Sequence, residues 1–132
     1  SMVSFNHYAY GAIGDWLYRW AAGLQEAAPG FREIRIKPYL NDHFTSMKAE
    51  QRTPYGLASS GWTKEGDALT LTVEIPANTT AEVYVPSAAA DKVTESGRAL
   101  DGRSDLKVAG WDDGYTLVRL GSGRYEFRST LK

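Results

Sequence analysis

"ALTLTVEIPANTTAEVYVP", residues 68–86, is the stretch that decides how this chain folds. Leu69, Leu71, Val73 and Ile75 fall on alternate positions, with threonines and Glu74 between them. That period of two sets one face of a strand on a core and the other toward water. "AEVYVP" repeats the theme more briefly, after Ala77-Asn78-Thr79-Thr80, whose residue types favour a turn. The same alternation runs outward along the chain. "FREIRIKP", from Phe31, sets Ile34 and Ile36 against Arg35 and Lys37, and "YTLVRL", from Tyr115, follows suit. Turn signals at Pro54-Tyr55-Gly56, Glu65-Gly66-Asp67, Ser96-Gly97, Asp113-Gly114 and Gly121-Ser122-Gly123 separate the runs. Strands are expected at 31–37, 45–53, 57–64, 68–75, 81–85, 92–95, 106–110, 115–120 and 124–129. Short antiparallel strands at turn spacings of about 8–12 residues predict a β-sandwich or a related barrel.

The first segment reads differently. In "SFNHYAYGAIGDWLYRW", from Ser4, apolar residues at Phe5, Ala9, Ile13, Trp16, Leu17, Trp20, Ala21 and Leu24 follow the three-and-four spacing of a helix. A helix is predicted from Asn6 to Gln25, capped by Ser4 or Asn6 and stopped by Ala28-Pro29-Gly30. Its aromatics spread around more than one face, so it calls for burial on several sides. The expected fold is therefore mainly β, an antiparallel β-sandwich preceded by one N-terminal α-helix, divided into a helical segment 1–28 and a sandwich domain 29–132.

The chain has 132 residues, enough for one domain with a single buried core at 42% apolar content. With 15 basic and 16 acidic residues, the net charge of −1 leaves no electrostatic footprint for nucleic acid or an anionic membrane. The absence of cysteine rules out disulfides, a thiol nucleophile and thiolate metal sites. No apolar run approaches the roughly 18 residues of a spanning helix. "SMVS" has no basic region followed by an apolar one, so no signal peptide is expected, and the compartment stays open.

Candidate chemistry is sparse. His7, at the start of the predicted helix, can aim a neutral imidazole at a ligand hydroxyl, or be simply structural. His43, in "YLNDHF", has nothing suggestive beside it. Glycoside hydrolysis needs two carboxylates across a cleft, and the acids here stand mostly singly on strands and turns. No catalytic residue, metal site or cofactor is assigned. "WDDG" (Trp111 to Gly114) and "DGRSD" (Asp101 to Asp105) bring oxygen ligands together without the spacing of a calcium loop, which favours turn chemistry. Trp62, Trp111 and Tyr115 can form an aromatic platform for a sugar face, or belong to the core. Asn78-Thr79-Thr80 matches a glycosylation acceptor, and also needs no role beyond a turn.

"SFNHYAYGAIGDWLYRWAAGL", "PGFREIRIKP", "TPYG", "IPANTTAEVYVP" and "GSGRYEF", in this order, closely resemble the C-terminal end of bacterial α-L-rhamnosidases, glycoside hydrolase family seventy-eight. The likeness spans essentially the whole chain. It implies that the first helix is the last helix of an (α/α)₆ catalytic barrel and that the strands form a C-terminal β-sandwich. It implies hydrolysis of terminal α-L-rhamnosyl groups with inversion by two glutamates, both upstream of residue 1, the carboxylates about 6.5–9.5 Å apart. It implies that His7 contacts rhamnose in the intact enzyme, where the partners are a rhamnosyl glycan and the rest of the barrel. Three readings follow: a structural domain inert by itself, a carbohydrate-binding module using the face near Trp62 or Trp111, and an interaction domain whose aromatic helix docks another protein.

Overall fold

The structure is a computed structural model that describes residues 22–132. Most of the helix predicted over 6–25 lies outside the described residues, and its last residues correct the expectation. Gly23 takes φ 80, and a Cβ there would overlap the backbone carbonyl of Lys37. The chain leaves the helical conformation at this glycine, before Ala28-Pro29-Gly30, and strand β1 (Leu24–Glu26) follows at once. The sheet thus takes in residues upstream of the predicted boundary at 29. The Ala28-Pro29-Gly30 stretch instead lies between β1 and β2 (Glu33–Ile36), where Ala27 N–H donates to the Glu33 carbonyl at 2.8 Å. No helix of seven or more residues occurs among the described residues.

Nine further strands complete the described set: β3 (Ser46–Thr53), β4 (Gly56–Glu65), β5 (Ala68–Ile75), β6 (Thr80–Pro86), β7 (Val93–Glu95), β8 (Arg98–Ala99), β9 (Leu106–Asp112), β10 (Tyr115–Leu120) and β11 (Gly123–Thr130). They form two sheets. One has five strands in the order β1-β2-β6-β10-β9, the other six in the order β3-β4-β5-β11-β7-β8. Every pairing is antiparallel except β2 with β6, which run parallel from Glu33↔Thr80 to Ile36↔Val83. The predicted strands are all present, and the mainly β reading holds with two antiparallel-dominated sheets.

Alternation builds one core from both sheets. On β5, Leu69, Leu71, Val73 and Ile75 are buried, and their cross-strand partners Trp62 on β4 and Tyr125 and Phe127 on β11 lie on the same face. The five-stranded sheet contributes Ile34, Ile36, Val83, Val85, Val118 and Leu120 to the same cluster. Two hydroxyls join the sheets inside it. Ser60 Oγ on β4 donates to the Ala22 carbonyl at 2.7 Å, and Ser129 Oγ on β11 donates to the Pro86 carbonyl at 2.6 Å. Each satisfies a polar group that would otherwise be buried without a partner.

Candidate functional site

His7 lies outside the described residues. His43 is exposed, and its backbone N–H donates to Asn41 Oδ1 at 2.8 Å, an arrangement of a local turn. The platform considered from the sequence divides. Trp62 is 2% exposed within the core, whereas Trp111 and Tyr115 line one surface concavity. Trp62 faces inward because β4 pairs it with Met47 and Leu71, both core residues. Asn78 takes φ 58 in the β5–β6 turn and Thr79 Oγ1 donates to the Ala77 carbonyl, which is the turn reading of that motif.

The acidic motifs serve structure. In "DGRSD", Arg103 grips Asp105 with two parallel bonds, Nε to Oδ1 at 2.9 Å and Nη2 to Oδ2 at 2.8 Å, and also reaches Glu95 Oε1 at 2.7 Å. Glu95 is 3% exposed. Burial pushes its carboxyl up, but hydrogen bonds from Ser96, Arg103 and the Glu126 N–H outweigh that and hold it below its ordinary value. Asp105 is likewise held down, by Arg103. A glycosidic general acid needs the opposite shift, so neither carboxyl suits that task. In "WDDG", Asp113 and Gly114 take φ 52 and 87 at the tip of the β9–β10 hairpin, the positive pair of a tight two-residue turn. Among the described residues no three His, Cys, Asp or Glu side chains gather to hold a metal ion.

Two of the concavities among the described residues gather the aromatic residues singled out above. The larger, about 720 Å³, lies on the outer face of the six-stranded sheet. Gly61, Thr70 and Thr72 floor it, Lys48 and Glu50 face each other across 3.5 Å, and Phe44 lines it at 38% exposure. The smaller, about 340 Å³, lies along the end of β10. Tyr84 on β6 and Tyr115 on β10 meet edge to face with ring centroids 6.1 Å apart, since both point away from the core and Tyr84, paired directly with Leu117, has Tyr115 as its diagonal neighbour. Lys37 Nζ sits 5.0 and 5.1 Å from those two centroids. Tyr115 Oη donates to the Pro38 carbonyl at 2.9 Å, and burial, then Tyr39 and Asp113, push its phenol up. Lys37 and Tyr84 went unnoticed in the sequence. Their signal was available in the polar phase of "REIRIK" and "AEVYVP", where outward positions carry a long cation and a ring.

Comparison with known proteins gives a consistent picture. The family model of the bacterial alpha-L-rhamnosidase C-terminal domain matches residues 23–100. An alpha-L-rhamnosidase of Streptomyces avermitilis is 34% identical over 126 residues, 96% of this chain and 12% of that protein. One of Formosa agariphila is 34% identical over 128 residues, 97% of this chain and 14% of its own length. The chain therefore spans about an eighth of these relatives. Among solved structures, the Streptomyces avermitilis alpha-L-rhamnosidase complexed with L-rhamnose superposes with a TM-score of 0.77 at 32% identity, covering 96% of this chain and 12% of that one. The alpha-L-rhamnosidase from Dictyoglumus thermophilum gives 0.76 at 27% identity over 94% of this chain and 14% of that one.

Proposed function

The chain belongs to the bacterial α-L-rhamnosidase C-terminal domain family, and from that premise we propose that it is the non-catalytic β-sandwich of an enzyme that hydrolyses terminal α-L-rhamnosyl groups. The two sheets, sharing one core, are read as the two layers of that sandwich. The observation that carries the reading is the 34% identity running through 126 residues of an alpha-L-rhamnosidase.

The finer assignment extends the resemblance to glycoside hydrolase family seventy-eight. The segment before β1 then supplies the last helix of a catalytic barrel and the strands from Leu24 onward the sandwich. His7 contacts the rhamnose bound in that barrel, so its partners are the remaining barrel helices and a rhamnosyl glycan. The two glutamates of the inverting reaction belong to parts of the enzyme outside these 132 residues. The acid-lowered Glu95 and Asp105 support this, because both are committed to Arg103.

Incubation with p-nitrophenyl α-L-rhamnoside tests the non-catalytic role. The expected result is no release of nitrophenol above the buffer blank. Turnover that scales with chain concentration and survives repurification overturns it.

A further inference from the structure

We infer that the concavity beside Trp111 is a binding site for a neutral pyranose unit of a glycan. Trp111 is 46% exposed and Phe44 is the other large apolar residue exposed among those described. Its ring does not swing freely, because Nε1–H donates to the Ser87 carbonyl at 3.0 Å. The hairpin beneath it is short and tightly turned at Asp113-Gly114. A ring already held in place loses little rotamer freedom when a ligand stacks on it. The neighbouring Tyr84 and Tyr115 are fixed by their mutual edge contact and by the bond to Pro38.

The polar groups around these rings identify the occupant. Asp112 and Asp113 are exposed, and neither carboxylate has a hydrogen bond or ion pair within the described residues. Lys37 spends its ammonium on two ring faces. An apolar protein side chain lodged here would strip water from these charges and return nothing to them. A pyranose presents an apolar C–H face to the indole and hydroxyls that donate to carboxylates and accept from an ammonium. One ammonium against two carboxylates disfavours an anionic sugar. The volume of about 340 Å³ falls at the small end of ligand pockets, roughly 300–1,000 Å³. The inference stands on this geometry and not on the reading of the chain as a rhamnosidase domain.

The test follows the indole N–H signal of Trp111 by NMR in the full chain, assigned with Trp111→Phe, during titration with L-rhamnose, D-galactose and D-galacturonate. At least one neutral sugar is expected to move it saturably in the millimolar range, with D-galacturonate several-fold weaker. Calorimetry, which does not depend on that indole, reads the variants: Trp111→Ala weakens binding about tenfold. Trp111→Phe keeps a ring and retains most of the affinity, which separates lost stacking from lost structure, and Phe44→Ala in the other concavity changes nothing. No saturable shift with either neutral sugar overturns the proposal. So does a shift that survives Trp111→Ala at another indole, or a Trp111 signal that moves with protein concentration alone, which would mark the patch as a protein contact.

Discussion

Glu95 is a carboxylate sealed from water to 3% exposure and held by Ser96, Glu126 and Arg103. A charge in that position persists only because both oxygens have donors, Ser96 and the Glu126 N–H on one and Arg103 on the other. Its folded-state value lies below the ordinary 4.5, so the stabilisation it supplies is complete above the ordinary carboxylate range and is lost as pH falls through the folded value. Asp105 shares the sign, since Arg103 lowers it too. Urea midpoints measured from neutral pH down past 4.5 are expected to drop more steeply for the native chain than for Glu95→Gln, which starts lower at neutral pH and converges with it in acid. Parallel curves would show that Glu95 does not govern acid sensitivity. Nothing in "VTESG" announces this role. A lone glutamate between Thr94 and Ser96 resembles a solvated strand position, and its partner Arg103 becomes a neighbour only through the β8 excursion.

Elements long enough to repeat their period declared themselves. β5 buries every second residue along its length, and β10 does the same from Thr116 to Leu120. β1 and β8, at three and two residues, carry no period to read. Leu24 also continued the helical spacing from Trp20, so its residue type fitted either structure and Gly23 had to arbitrate. That glycine combines φ 80 with the Lys37 backbone packed against its missing side chain, and Lys37 N–H donates to its carbonyl at 3.0 Å. Gly23→Ala is therefore expected to cost about 3 kcal/mol or more, from the left-handed backbone and from the displaced β2 end, read as a lower urea midpoint with unchanged slope. A change under about 0.5 kcal/mol would mean that the β1–β2 hairpin yields freely there. On β4, Trp62 was ambiguous for a different reason: its strand neighbours Gly61 and Thr63 commit to neither face by composition, and only pairing with Leu71 settles it. The concavity beside Trp111 was half legible, in Trp111 and Tyr115, because Lys37 and Tyr84 reach it from strands distant in sequence.

At the scale of the molecule, the strand that comes last among those described is not at an edge. β11 lies between β5 and β7, pairs with β5 from Gly123↔Ile75 to Thr130↔Ala68, and brings the fully buried Phe127 into the centre of the core. A chain stopped after Leu120 is expected to give a collapsed amide spectrum and rapid proteolysis, since β5 and β7 would both face a gap. A dispersed spectrum from that truncation would show the remaining strands closing ranks without it. The same placement bears on biosynthesis. While a ribosome still holds this last strand in its exit tunnel, the nascent sheets have an open slot lined with leucine and valine. The sheets can seal only once β11 has cleared the tunnel, and until then the chain is a natural client for chaperones.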